Sequence, residues 1–271
     1  EMLHDCMLIH DDIIDKSDLR RGKPSMHAKL NKYLSGYKTR KFSGQDLGIV
    51  IADVIYALAL NAFLSIKEKS NRKEEALKKF IEAAFYTGSG EFIELLLGLK
   101  NLEQVRIKDI YKVYDLKTAN YTFAYPLSIG ATLAGAREKQ TKLLFNYGKF
   151  LGRAFQIKDD ILGIFSEEKI TGKSGLADLQ EAKKTILIWK AFKNSGNADR
   201  KTIKRILSKK NVHRPDLIKM REIITTSGSL EYARKEIKKL QDKSYMLLDK
   251  CSIKNVYKDY LKGFSRKILN T

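Results

Sequence analysis

Leu3-His4-Asp5-Cys6-Met7-Leu8-Ile9-His10-Asp11-Asp12-Ile13-Ile14-Asp15, followed closely by Arg20-Arg21, is the stretch whose reading decides this chain. Leu3, Met7, Leu8, Ile13 and Ile14 recur at helical spacing, which predicts a buried helix that ends in acid. Positions four apart share a helix face, so Asp11 and Asp15 project together with Asp12 beside them. Three carboxylates this close repel one another unless a cation shares them. A hard divalent ion such as Mg²⁺ suits oxygen ligands and keeps open positions for a phosphate-bearing substrate. Two adjacent arginines add rigid forks for phosphate oxygens. Acid, metal and arginine together imply a diphosphate.

Acidic residues near a helix end are commonly no more than solvated surface. A second cluster shifts the balance: Phe155-Gln156-Ile157-Lys158-Asp159-Asp160-Ile161-Leu162-Gly163 is again a carboxylate pair inside an apolar helical run. Unpaired charge beside an apolar core is costly. Two such pairs, far apart in sequence, predict facing walls of one metal site.

The 271 residues suffice for one large domain or two modest ones, and 43% hydrophobic content provides a sizeable core. Only 3 prolines and 17 glycines, in a chain rich in Leu, Lys, Ala, Ile and Glu, predict an almost wholly helical protein. No alternating Val/Ile/Thr run bounded by turn dipeptides signals a sheet. The net charge of +20 favours anionic partners: phosphorylated metabolites, nucleic acid or a lipid surface. Lys201-Thr202-Ile203-Lys204-Arg205 and Lys235-Glu236-Ile237-Lys238-Lys239 read as wet faces of amphipathic helices. No zinc knuckle, RNA-recognition motif or base-reading helix-turn-helix is present, so nucleic acid is not an expected partner.

Two cysteines, Cys6 and Cys251, cannot build a disulfide framework and fit reduced thiols in a cytoplasmic setting. Leu47 to Ile66 is long and apolar enough to raise a membrane span. Asp53 and Asn61 interrupt it and no aromatic belt flanks it, so a buried core helix is expected, not a transmembrane one. No signal peptide is visible. The chain opens in mid-helix, so N-terminal helices are expected to be missing.

Along the chain, the first helix is expected to end near Asp15, before a polar loop punctuated by Gly22 and Pro24. Residues 30 to 45 read as irregular. Long helices are expected over about Asp46 to Lys67 and Arg72 to Leu97, the latter broken or loosened by Gly88 and Gly90. A helical pattern from Ile107 should kink or end at Pro126, which cannot donate its amide. Another runs from Lys139 to Phe165. Gly172-Lys173-Ser174 superficially matches the end of a P-loop, but Glu167 stands where the upstream glycine should be and no strand precedes it. With no repeat or low-complexity linker, residues 1–271 are expected to form a single domain.

The order of these motifs is similar to a known family. Asp11-Asp12-x-x-Asp15, Arg20-Arg21-Gly22-Lys23-Pro24, Lys117-Thr118, Phe155-Gln156-x-x-Asp159-Asp160, Gly172-Lys173, Asp178 and Lys183-Lys184-Thr185 together resemble the trans-isoprenyl diphosphate synthases, most of all the archaeal farnesyl and geranylgeranyl branch. The resemblance covers nearly the whole chain. It implies an all-α bundle of mostly antiparallel helices around a central cavity. It also implies a prenyltransferase joining isopentenyl diphosphate to an allylic diphosphate, working as a homodimer. Asp11, Asp12 and Asp15, with Asp159 and Asp160, would hold about three Mg²⁺ ions on the family pattern. Arg20, Lys117, Lys173 and Lys183 would grip the allylic diphosphate, and Arg21 the isopentenyl one. Thr118 and Gln156 would lie near the developing carbocation and stabilise it with their oxygen dipoles. Taken singly, each of these lysines could be surface, and His4 and His10 read as core or supporting groups. Tyr121, Tyr125 and Phe155 read as cavity lining or plain core.

The family's upstream Gly-Gly-Lys-x-x-Arg segment is absent. Its Gly-Asp reads Ala52-Asp53 here, and its Gly-Gln-x-x-Asp reads Gly90-Glu91-Phe92-Ile93-Glu94. Bulky aromatics at the positions of Cys6 and Met7 stop the product at farnesyl length in the family. A small Cys6 and a pliable Met7 therefore predict a product of about twenty carbons. The alternatives are a non-catalytic or weakly active subunit, for which Ala52 and Glu91 speak, and a class I terpene cyclase. A cyclase would carry an Asn/Ser/Glu metal triad in place of the second acid pair and would lack the lysines beside Thr118 and Thr185.

Overall fold

A computed structural model describes residues 1–166 and 176–270. Along them run α1 (Met2–Ile14), α2 (Met26–Leu34), α3 (Gly44–Leu64), α4 (Ser70–Gly98), α5 (Ile107–Val113), a π-helix (Tyr114–Ala124), α6 (Tyr125–Leu133) and α7 (Glu138–Phe165). There follow α8 (Ala177–Gln180), α9 (Ile186–Asn194), α10 (Asn197–Leu207), α11 (Arg214–Thr226), α12 (Ser229–Asp249) and α13 (Asn255–Leu269). Among the described residues the fold is all-α but for one feature the sequence did not signal, a hairpin pairing Leu19–Arg20 with Lys23–Pro24. Two compact units divide the chain, one carrying Glu1–Lys67 and the other Glu68–Phe165 with the segment from Asp178 onward.

In the first unit α3 is the scaffold, and a row of small residues makes it one. Gly44, Gly48, Ala52 and Ala59 line its inner side at four- and seven-residue spacing, with Phe63 closing the row. An added Cβ at Gly44 would lie 2.2 Å from the His27 carbonyl oxygen, and one at Gly48 2.9 Å from Ile13 Cδ1. Without those side chains, α1 and α2 settle against α3 around a core of Cys6, Ile9 and Ala52, with Met7, Ile13, Met26 and Tyr56 packed on it. Ser43 and Asp46 form a capping box that fixes where α3 begins.

Two expectations are corrected here. Residues 26–34 are helical, so the irregular stretch is shorter than the sequence suggested. The apolar segment read as a buried core helix is buried on one side only. Ile49, Val50, Val54 and Leu58 stand 42–60% exposed, because α1 and α2 cover the small-residue row and leave the branched one outside.

In the second unit α7 packs along both the π-helix and α12. Gly148 and Gly152 permit the closest approach: a Cβ at Gly152 would sit 2.5 Å from Ala119 Cα, and one at Gly148 2.8 Å from Ala124 N. α4 runs unbroken through Gly88 and Gly90, against expectation. Gly88 faces open space and costs only its own helix propensity, while Gly90 lets the backbone of Leu116 and Lys117 come close. Pro126 does not end helical structure. It stands in the first turn of α6, where a missing amide is tolerated, just after the π-helix closes.

Candidate active site

Each unit carries one of the two acid clusters, and in each cluster one carboxylate is buried while its neighbours are more exposed. In the first unit Asp12 is 4% exposed at the end of α1. Arg20 Nε donates to both its oxygens at 2.8 and 2.9 Å, and Arg20 Nη2 donates to Asp11 Oδ2 at 2.6 Å. Burial works against the Arg20 charge, but hydrogen bonds and fields from Asp12 and Asp11 outweigh it and raise its pKa. The hairpin turns the chain through Arg21 and Gly22, both left-handed at φ 52° and 73°, and so returns Arg20 to the acids. Buried His27 steadies the hairpin, its Nε2 3.4 Å from Asp18 and its Nδ1 3.2 Å from Ser25 Oγ. Arg21 is exposed, and Asp11 and Asp15 are half-buried.

The second unit's cluster is on α7. Asp160 is 4% exposed, whereas Asp159 next to it is open. The Tyr114 phenol and Gln156 Nε2 (3.1 Å) both donate to Asp160, and Gln156 Oε1 accepts from Thr118 Oγ1 at 2.5 Å. Tyr114 in turn accepts the amide of Ile186, the first residue of α9, at 2.9 Å. Burial pushes the Asp160 carboxyl well above the usual carboxylate range, with Asp178 and Asp159 adding to it, while the Tyr114 and Gln156 hydrogen bonds pull the other way. Asp178 lies over Gly163, where any Cβ would collide with its carboxylate.

The cationic candidates are held by acids. Lys117 Nζ lies 2.6 Å from Glu94 and 2.7 Å from Glu91, and Lys183 Nζ 2.6 Å from Glu181 and 3.6 Å from Asp178. Lys173 falls outside the described residues. Tyr125 donates to Glu82 at 3.0 Å, and Phe155 packs on Phe123 with ring centres 5.3 Å apart. Cys6 lies in the α1–α3 core with Met7 packed beside it.

Among the described residues, no three His, Cys, Asp or Glu side chains converge into a cage that could hold a metal. A Mg²⁺ ion shared with substrate phosphates needs only one or two carboxylates plus water. The oxygen donors Asp11, Asp15 and Asp159 fit that requirement by chemistry and by exposure.

The profile of the Polyprenyl synthetase family matches residues 1–224. The chain belongs to that family.

Curated relatives include the geranylgeranyl diphosphate synthase of Sulfolobus acidocaldarius, 30% identical over 86% of this chain and 66% of the relative. The geranylfarnesyl diphosphate synthase of Aeropyrum pernix is 33% identical over 86% and 68%. The chain thus spans about two thirds of the length of the curated relatives it matches. Among solved structures, geranylgeranyl pyrophosphate synthase from Corynebacterium glutamicum, complexed with isoprenyl diphosphate and magnesium, superposes with a TM-score of 0.90 at 25% identity. That match covers 99% of this chain and 76% of that one.

Family membership explains the motif order; the geometry adds residues that the motifs passed over. Tyr114 is the chief of these, since it ties Asp160 to the start of α9. Its signal was indirect: a buried aspartate needs donors, and a tyrosine one turn before Lys117-Thr118 can supply one. Glu91 and Glu94 were noticed as departures from the family pattern, but their grip on Lys117 was not foreseen. The π-helix itself was also missed, and such widened turns gather at functional sites.

Proposed function

We propose that the chain is a prenyltransferase that condenses isopentenyl diphosphate with an allylic diphosphate, head to tail, to a product of about twenty carbons. The observation that carries this reading is the repeated construction of the acid clusters. Asp12 under Arg20 and Asp160 under Tyr114 and Gln156 are fixed points. Asp11, Asp15 and Asp159 beside them are the more exposed members, and this reading assigns them to the metal. Within each unit the buried member fixes its helix end, so that the carboxylates beside it keep their place when a ligand binds.

In this reading Asp11, Asp15 and Asp159 hold Mg²⁺, which neutralises charge on the departing diphosphate when bound. Arg20, Lys117, Lys173 and Lys183 bind the allylic diphosphate and Arg21 the isopentenyl one. Thr118 is oriented by its bond to Gln156, leaving its oxygen lone pairs for the developing allylic cation. The proton lost after attack goes to the diphosphate that has left. Apolar walls keep water from trapping the cation as an alcohol.

The chain works as a homodimer in this proposal. A second copy would cover the exposed row Ile49, Val50, Val54 and Leu58 of α3, an apolar strip of the kind interfaces bury. Lipid is the poorer occupant, because Asp53, 74% exposed on its side chain, would sit within the hydrocarbon. The two buried thiols suit a cytoplasmic setting.

The deciding experiment supplies the chain with Mg²⁺, isopentenyl diphosphate and allylic diphosphates of increasing length, with chromatography of the products. Extension to geranylgeranyl length, lost on chelation, supports the reading. Cyclised hydrocarbon or no extension from any allylic substrate rejects it.

A further inference from the structure

Helix α13 carries apolar side chains on two sides, and the described residues cover only one of them. Ser265 and Leu269 are buried on that inner side. Donors from α7 pin the backbone there: Tyr147 Oη to the Leu261 carbonyl and Lys158 Nζ to the Ile268 carbonyl, both at 3.0 Å. Val256, Tyr257, Tyr260 and Phe264 fall on the other side, within an arc of about 100° at helical spacing. They stand 43–73% exposed among the described residues, Tyr260 the most.

Four cations, Lys258, Lys262, Arg266 and Lys267, share this helix with a single acid, Asp259. Lys254 stands just before it, and Lys254, Arg266 and Lys267 are exposed. Basic charge beside an uncovered aromatic stripe narrows the choice of occupant. A second copy laid on the same face would set cations against cations. A bilayer with anionic headgroups meets both features: the stripe enters the acyl boundary while the basic groups stay with the phosphates. Tyrosine suits that depth, since its ring is apolar and its hydroxyl stays wet.

We propose that α13 is a membrane-docking helix that lays Val256, Tyr257, Tyr260 and Phe264 into an anionic lipid surface. The contact is peripheral, because fifteen residues are too few to span a bilayer. Tyr147 and Lys158 hold the helix in place before any lipid arrives, so docking carries little cost of ordering.

The test is co-sedimentation of the intact chain with phosphatidylcholine vesicles, made with and without phosphatidylglycerol. Wild type should bind the anionic vesicles about tenfold more tightly than the neutral ones, and let go as salt rises. Tyr260→Ser combined with Phe264→Ser should weaken anionic binding about tenfold, with thermal midpoints read alongside. Should that variant fail to fold, Lys254→Ala combined with Lys267→Ala removes two exposed charges and should also weaken binding by about tenfold or more. Tyr260→Trp should add fluorescence that brominated lipid quenches, measured against the native Trp189, which donates to the Val105 carbonyl. No binding to anionic vesicles, equal binding by wild type and folded variants, or an added tryptophan that brominated lipid leaves bright overturns the proposal. So does a variant that changes only self-association or retention of single-stranded RNA, since the occupant is then a second copy or a nucleic acid.

Discussion

Tyr114 and Asp160 stand 46 positions apart in sequence, and the phenol of one donates to the carboxylate of the other. The same phenol accepts the Ile186 amide, so a single oxygen joins the π-helix, α7 and α9. Tyr114→Phe keeps the ring and removes that junction. It should cost about 1–3 kcal/mol, the usual penalty for leaving buried polar groups short of partners. Denaturant melts measure that loss. Turnover should fall by more than stability predicts, since Gln156 and Thr118 lose the anchor that orients them.

Two glycine substitutions should have opposite signs. Gly152→Ala drives a Cβ to 2.5 Å of Ala119 Cα, which is backbone that cannot step aside, and should destabilise by about 1–3 kcal/mol or more. Gly88→Ala meets nothing within 4 Å on α4 and should stabilise by about 0.5–1 kcal/mol. Chemical denaturation of both variants beside wild type checks the pair; equal shifts would mean the α7 contact is looser than it stands here.

Lys184 is 9% exposed and its ammonium donates to the Ala182 carbonyl at 3.0 Å. Burial lowers its pKa from the ordinary 10.5. The unfolded chain therefore holds that proton more tightly than the folded one. Wild-type stability should rise with pH from the lowered folded value up to about 10.5. Lys184→Met should be more stable than wild type at neutral pH, with the gap closing toward alkaline pH. Thermal midpoints of both proteins from pH 7 to 10 test this, and parallel curves would sink it.

Met7 packs at the edge of the α1–α3 core that Cys6 occupies at its centre. Met7→Phe should shorten the main product by about one five-carbon unit by raising the floor of the site. Cys6→Phe should instead overpack against Ala52 and cost about 1–3 kcal/mol. An unchanged product with Met7→Phe would place the floor elsewhere.

Much of this was legible from residue order because helices advertise themselves through apolar spacing. The ends of α1, α3 and α7 fell within a few residues of expectation for that reason. What escaped depended on contacts between distant residues. The π-helix at Tyr114–Ala124 has the same short-range composition as an α-helix, and eleven residues are too few to separate the two periods. The Leu19–Pro24 hairpin turns on Arg21-Gly22, without the Asn-Gly or Asp-Gly pair that marks such turns. At the site, the motifs named Asp12 and Asp160 as equals of their neighbours. Only the folded chain shows that Asp12 and Asp160 are buried while Asp11, Asp15 and Asp159 are more exposed. Likewise, Lys117 could be named from its motif, but its two glutamate partners depend on how near Gly90 lets one helix come to the next.

In the homodimer proposed above, the outward branched row of α3 would tie the integrity of this chain to how much of it is dissolved. Water gains nothing by wetting Ile49, Val50, Val54 and Leu58, so with such pairing dilution should favour loosening and higher protein concentration should favour the paired form. A midpoint of unfolding that climbs with protein concentration would be the signature of that dependence.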